Sequence, residues 1–343
     1  MAYKFGSVCS GIDAASVAFN RIGMGAAWFS EIADFPSSVL KHHYPQVTNI
    51  GDMMLLPDLI RNESIMSPDV LCGGTPCNSF SLAGLRGGLS DSRGNLTMGF
   101  IQIADAIDDM REQNGRQPSV ILWENVEGVL SDKSNAFGQF ISGLAGSEEA
   151  INVKKWGSAG VAVGKRRQVI WRTFDAKYFG VPQQRKRVFV VATARNECAS
   201  EILLESKGEG WDYKTLYKKR DNNECAIKDV HGNVNTFNIF RSYTDCLYAA
   251  YGTKWNGNAA SFNGSLFVAH NSKIRRLTPL ECERLMGFPD NYTNIIGASD
   301  TARYKALGNS WAVPVVAHIG KNILNYMNNS LTNDATDQQE VGG

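Results

Sequence analysis

The chain has 343 residues, 43% of them hydrophobic, a formal net charge of +1 and seven cysteines. That length can bury a full core and holds one large domain with a smaller companion. No stretch approaches the roughly 18 to 20 apolar residues of a membrane span, and the start, Met1 to Gly6, lacks a signal-peptide profile, so a soluble, cytoplasmic protein with no membrane partner is expected.

In chain order, Lys4 to Cys9 reads as a strand, Asp13 to Arg21 has helical spacing, Ala26 to Ser30 is a second strand and Ser37 to His43 a second helix. The first turn, Ser7-Val8-Cys9-Ser10-Gly11-Ile12-Asp13, is built of small residues that let a ligand approach the backbone. Glu31, twenty residues after Gly11, ends the second strand, where a carboxylate can accept hydrogen bonds from ribose hydroxyls. The full GxGxxG fingerprint is absent, and an ordinary strand-to-helix turn is the competing reading. Asp52, after Asn49-Ile50-Gly51, ends a third strand and either contacts an adenine amine or serves in a turn. His42-His43 reads as an exposed helix end.

Asp69-Val70-Leu71 and Ser119-Val120-Ile121-Leu122-Trp123 are short apolar, β-branched runs, read as buried strands of a parallel sheet. Chemistry in such sheets gathers at the carboxyl ends of the strands. Pro76-Cys77 follows the first run and Glu124-Asn125-Val126 the second, so a thiol and a carboxylate share that edge, as nucleophilic attack assisted by a positioned acid requires. Between them Gly84, Gly87, Gly88 and Gly94 make 81 to 95 a candidate lid, or a plain surface loop, with Arg86 and Arg93 able to meet phosphates. Phe100 to Gln113 is helical, with Ile101, Ala104, Ile107 and Met110 on one face.

Residues 154 to 195 hold eleven lysines and arginines against one acid, Asp175. A solvated face is the plain reading; adjacency to the candidate site favours a polyanion such as nucleic acid. Trp171 and Phe174 read as core, and Val188 to Ala192 is the last strand of a doubly wound α/β set. From 196 to 273 the sequence is mixed and, near its end, Gly/Asn-rich, which suggests a second domain. Thr278, Pro279 and Glu281 open a capped helix that Gly287 and Pro289 stop. A last helix after Asn309-Ser310 carries Val315, Val316, Ile319, Ile323 and Leu324, and the polar tail from Asn328 is expected to be disordered. The odd cysteine count argues against a disulfide framework. Cys72 and Cys77 are the closest pair, without CxxC spacing or ligands nearby, so no metal is expected, and Cys9, Cys72 and Cys282 read as packed thiols.

In order and wording these segments resemble the cytosine carbon-5 DNA methyltransferases of bacteria and their phages, over nearly the whole chain except 196 to 273 and the tail. The motifs are Pro76-Cys77, Glu124-Asn125-Val126, Gln183-x-Arg185-x-Arg187, Arg276-Leu277-Thr278-Pro279 with Gly287-Phe288-Pro289, and Gly308-Asn309-Ser310 with Val313-Pro314. The resemblance implies a Rossmann-like S-adenosylmethionine-dependent methyltransferase sheet with a second, smaller target-recognition domain. Residues 1–195 and 303–327 would form the catalytic and cofactor domain, 196–302 the target-recognition domain and hinge, and 328–343 the disordered tail.

By the same resemblance, Cys77 is the thiolate that adds to carbon 6 of an extruded cytosine, Glu124 contacts nitrogen 3, and Arg187 with Arg185 lies beside the thiol. Cys77 then needs a cationic neighbour or a helix end to lower its pKa, and Glu124 needs burial to raise its own. The cofactor is S-adenosylmethionine, released as S-adenosylhomocysteine, with Cys9, Ser10, Gly11, Ile12, Glu31, Ile32, Asp52, Met53, Pro76, Asn309 and Ser310 as candidate contacts. The partner is double-stranded DNA, met by Ser81, Arg86, Arg93, Gln183, Arg241 and Lys254, with a restriction endonuclease as functional companion and a monomeric enzyme. Two departures stand out: Asp13-Ala14 replaces the family's paired glycines and Cys9 its aromatic residue, and Ile32 follows Glu31 where Trp is usual. Two alternatives stay open, a transfer RNA cytosine methyltransferase and a catalytically inactive DNA-binding protein of the same fold.

Overall fold

The computed structural model describes residues 2–75, 94–194, 200–204, 225–228, 234–237, 243–253, 266–270 and 273–340. Its centre is an eight-stranded sheet. Chain order gives β1 (Lys4–Val8), α1 (Ala14–Phe19), β2 (Gly25–Ser30), α2 (Asp34–His43), β3 (Thr48–Asn49), α3 (Leu56–Arg61), β4 (Val70–Gly73), α4 (Gly94–Gln113), β5 (Val120–Val126), α5 (Ala136–Ala145), β6 (Ala159–Val163), β7 (Arg167–Asp175) and β8 (Lys186–Ala194). The strand order is β3-β2-β1-β4-β5-β8-β7-β6. The first five are parallel to their neighbours, whereas β8, β7 and β6 pair antiparallel.

Alternation along the strands sorts side chains onto two faces. Phe5, Val70, Cys72, Val120, Leu122, Phe189 and Val191 belong to one buried cluster, and Val8, Leu71, Ile121, Trp123, Val188 and Val190 to the other. The first face is covered by α1 and by α9 (Val313–Glu340), through Ala15, Phe19, Val316, Ile319 and Ile323. The second is covered by α4 and α5, through Ile103, Ile107, Phe137 and Phe140. A sheet covered on both faces explains why its strands read as continuous apolar runs.

The structure departs from the sequence reading in several places. β6 and β7 were not legible as strands because arginine and glutamine interrupt β7, although Trp171 and Phe174 are buried there as expected. Arg167 is almost fully buried and is neutralised by Asp105 and Asp108 of α4, so part of the basic block is internal scaffold. α2 begins at Asp34 with Pro36 in its first turn, where a missing N–H is harmless. His43 is not an exposed end: it stacks on Tyr292 at 4.0 Å between centroids and its Nε2 lies 2.7 Å from the Tyr292 carbonyl oxygen.

Beyond β8 come the short α6 (Ser200–Leu203) and two antiparallel pairs, β9 (Cys225–Lys228) with β10 (Val234–Phe237) and β11 (Phe267–His270) with β12 (Lys273–Arg276). Then follow α7 (Pro279–Met286), α8 (Asp300–Asn309) and α9. α7 has the expected capping box between Thr278 and Glu281 and stops at Gly287, whose φ of 79° suits a residue without Cβ. Leu247, Tyr251, Leu277, Leu285 and Met286 join the same buried cluster as α1 and α9. α9 runs to Glu340, past the expected disorder at Asn328, because extending a helix already nucleated on a packed face is far easier than starting one. Among the described residues no helix is long and apolar enough to cross a membrane.

Candidate active site

The strand order reverses between β1 and β4, and such a switch point opens a crevice at the carboxyl ends of the two strands. The turn leaving β1 has Cys9, Gly11 and Asp13 at φ of 48°, 57° and 52°. This conformation is free for Gly11 but strained for the other two. Asp13 is compensated locally: its carboxylate accepts from Ser7 Oγ at 2.9 Å and from Ser16 N at 2.9 Å, which caps α1. Burial pushes the Asp13 pKa up to about 6 against those hydrogen bonds. Cys9, which replaces the expected aromatic residue, donates to Met53 Sδ at 3.7 Å, and burial, then Glu31, pushes its thiol up to about 12.

The turn aims the Gly11 N–H at Glu31 Oε2 at 2.7 Å, and Glu31 Oε1 accepts from Ala33 N at 2.8 Å. Asn49 braces the backbone of Glu31 on both sides. Facing this turn is a cleft of about 710 Å³ whose lining includes Gly11, Glu31, Phe35, Thr75, Glu124 and Arg187. A narrower recess continues beneath it past Ser10, Gly74, Ser310 and Trp311.

Glu124 reaches the cleft from β5, with only 8% of its surface exposed. Arg187 opposes Val126 in the β5–β8 register, two residues from Glu124, so its side chain crosses diagonally. Arg187 Nε lies 3.1 Å from Glu124 Oε1, yet no hydrogen bond is directed at that buried oxygen. Burial raises the Glu124 pKa; Arg187, Arg185 and the Trp311 indole oppose the rise. The protein's own residues account for the burial of this carboxylate. Behind it, Asn125 Nδ2 donates to the Thr75 carbonyl at 2.8 Å and Trp123 Nε1 to Thr75 Oγ1 at 3.0 Å, which anchors β4's exit immediately before Pro76-Cys77.

Arg185 occupies a different place from Arg187. It is 3% exposed, and its terminal nitrogens donate to the carbonyls of Leu247 (2.9 Å), Gly308 (3.0 Å) and Ser310 (2.6 Å) and to Cys246 Sγ (3.2 Å). Gln183, expected among the DNA contacts, has no exposed surface in the protein alone: its side chain ties Leu247 N to the Leu285 carbonyl and so braces the scaffold. The side chains of Ile12 and Met53 are likewise core. Asp52 caps the turn at 53–55, exposed and outside the cleft lining. Ile32 is 78% exposed at the rim. Pro76, Cys77, Ser81, Arg86, Arg93, Arg241 and Lys254 lie outside the described residues.

Sequence reasoning missed Thr75, Trp311 and Cys246. Thr75 and Trp311 adjoin recognised motifs, which was a usable signal; Cys246 carried none.

The family profile described as C-5 cytosine-specific DNA methylase matches residues 3–265 and 248–325. A protein of Escherichia phage P1 named DNA N-6-adenine-methyltransferase is 34% identical over 93% of this chain and 61% of its own length. The chain thus spans less than two thirds of that relative. Type II methyltransferase M.SsoII of Shigella sonnei is 28% identical over 94% of this chain and 80% of its own. Among solved structures, the S. pombe Dnmt2 methyltransferase superposes with a TM-score of 0.60 at 17% identity, covering 94% of this chain and 98% of its own. That likeness supports the mixed methyltransferase sheet.

Proposed function

The chain belongs to the C-5 cytosine-specific DNA methylase family, and from that membership we propose that it transfers a methyl group from S-adenosylmethionine to carbon 5 of a cytosine extruded from a short duplex DNA sequence. The observation that carries the reading is Glu124: a buried carboxylate at the cleft, its pKa raised by burial, with Arg187 Nε 3.1 Å from Oε1.

The residues on the β1 side suit the cofactor. Glu31 has carboxylate oxygens for ribose hydroxyls, Gly11 presents backbone with no side chain, and Phe35 and Ile32 give apolar surface for an adenine. Gly74 keeps the passage to Glu124 open, since a Cβ there would lie 3.1 Å from the Glu124 carbonyl oxygen and from Trp311 Nε1. When bound, S-adenosylmethionine supplies an electrophilic methyl group.

In the proposed reaction the Cys77 thiolate adds to carbon 6 while Glu124 gives a proton to nitrogen 3, and the electron pair displaced to carbon 5 takes up the methyl group. Loss of the carbon 5 proton to a base, departure of Cys77 as the thiolate and return of the nitrogen 3 proton to Glu124 restore the ring. Arg187 stabilises the Glu124 carboxylate left behind, and burial makes reprotonation favourable. Residues 196–302 would read the target, with Arg241 and Lys254 as donors, while Ser81, Arg86 and Arg93 hold the DNA over the cleft. A companion endonuclease and a monomeric state complete the proposal.

The relative named as an adenine methyltransferase makes the base itself a target of the test. DNA from a methylation-deficient host expressing the chain is sequenced after bisulfite treatment and digested for nucleoside mass spectrometry, with Cys77→Ala in parallel. Protected cytosines in one motif, lost in the variant, support the proposal. N6-methyladenine without methylcytosine overturns the base, and methylation confined to RNA overturns the substrate.

A further inference from the structure

Glu124 works through the orientation of Arg187, and one residue outside every recognised motif holds that arginine from behind. Arg187 makes three contacts of different kinds: Nε faces Glu124 Oε1 at 3.1 Å, Nη1 donates to the Lys186 carbonyl at 2.8 Å, and Nη2 donates to Cys246 Sγ at 3.7 Å. The same sulfur accepts from Arg185 Nη1 at 3.2 Å. We propose that Cys246 is a positioning residue of the methyl-transfer reaction, whose sulfur bridges the two guanidinium groups and sets Arg187 at the distance from Glu124 that proton delivery needs. The inference rests on the reading of Glu124 as the proton donor.

Two like charges placed side by side repel, and Arg187 is among the groups that press the Arg185 pKa down, after burial. A soft sulfur acceptor between them relieves part of that repulsion and leaves neither guanidinium free to turn. A thiol suits the place because its long C–S bond and diffuse lone pairs accept from two donors at these separations, where a hydroxyl would be too short.

The segment that carries Cys246 is docked firmly enough to serve as the reference. Thr244 N donates to the Pro182 carbonyl at 2.7 Å, Gln184 N to the Thr244 carbonyl at 2.8 Å, and Leu247 N to Gln183 Oε1 at 2.8 Å. Cys246 itself donates to the Leu247 carbonyl at 3.4 Å. Because this segment lies within the region proposed to read the target, Cys246 is also the point where docking of that region is transmitted to the acid. A shift of 243–248 would move Cys246, then Arg187, then the charge on Glu124.

The charged and titratable groups that share the cleft and its recess with Glu124 among the described residues are Arg187 and Arg185 beside it, with the Trp311 indole, and Cys9, Asp13, Glu31, Asp34 and Lys305 along the other walls. Arg187 opposes the burial-driven rise of the Glu124 pKa. Release of Arg187 therefore raises that pKa further, and the pH at which the acid deprotonates moves upward.

The test uses the full-length protein, methylation-free plasmid DNA and labelled S-adenosylmethionine, with Cys246→Ala and Cys246→Ser. Cys246→Ala is expected to lower kcat about tenfold, to leave KM for DNA and cofactor unchanged, and to move the alkaline limb of the kcat profile to higher pH, with Cys246→Ser between it and the parent. Carbon-13 NMR of labelled Glu carboxyls, assigned with Glu124→Gln, follows the Glu124 titration without reference to turnover. An upward shift of that midpoint in Cys246→Ala supports the proposal even if no methyl transfer is found, an outcome that would instead sink the functional reading. An unchanged midpoint, or a loss of activity matched by a loss of folded protein, overturns it.

Discussion

On the β1 side of the cleft the backbone does most of the positioning: the left-handed turn from Cys9 to Asp13 presents the Gly11 N–H to Glu31, and the partners lie on β1, β2, β3 and the short segments leaving them, all within the first 53 residues. On the β5–β8 side the positioning is done by side chains from distant segments, with Arg185 reaching carbonyls 123 and 125 residues further along the chain. The contrast separates two kinds of vulnerability. A local, backbone-built site should lose affinity when altered and keep its fold, while a site assembled from remote segments should lose turnover or stability.

The sharpest test of that contrast is Glu124→Gln. It preserves shape and removes the transferable proton, so kcat should fall by about three orders of magnitude with binding intact, measured by methyl transfer to DNA. A loss confined to KM would erase the distinction between the two sides. Next in size is Arg185→Met, which leaves the carbonyls of Leu247, Gly308 and Ser310 without their donor in a dry interior. Urea unfolding should register a loss of about 4 kcal/mol, and a variant as stable as the parent would show that the remote segments do not depend on this residue.

Asp13→Asn probes strain on the backbone-built side. The folded pKa of about 6 exceeds the ordinary aspartate value of 3.8, so the folded state holds more protons between those values. Stability should therefore fall by up to ~3 kcal/mol as pH rises from 4 to 6, and stay level with respect to this group above 6. In the Asn variant that slope is absent, which denaturant midpoints across the range would reveal. Glu31→Ala should raise KM for S-adenosylmethionine about thirtyfold with little change in kcat, readable in initial rates. The smallest effect is a gain: Ile32→Trp adds a stacking surface at the exposed rim and should lower that KM about fivefold.

The legibility of the two sides follows the same division. β1, β2, β4 and β5 were readable because a sheet covered on both faces demands apolar runs, and the turn from Ser7 to Asp13 because small residues and a following acid lie close in sequence. Glu31 was recognised that way, with the Gly11 hydrogen bond as its local partner. β7 was not, since burying Arg167 requires Asp105 and Asp108 from a helix some sixty residues earlier. Arg185 and Arg187 were recognised in one motif, but their division of labour was hidden: the motif names both arginines alike, and only the neighbours make Arg185 a brace and Arg187 the partner of Glu124.

The sequence by itself determined the family and the order of the main elements, because the Pro76-Cys77 and Glu124-Asn125-Val126 motifs and the small-residue turn from Ser7 to Asp13 are each written as short contiguous stretches after apolar runs. Only the tertiary structure decided the burial and surroundings of Glu124, since its desolvation, the diagonal reach of Arg187 and the intrusion of Cys246 between two guanidiniums depend on segments brought together across the sheet. Local propensity acts over a few residues, whereas desolvation and electrostatics act through space, and a linear string records the first and not the second.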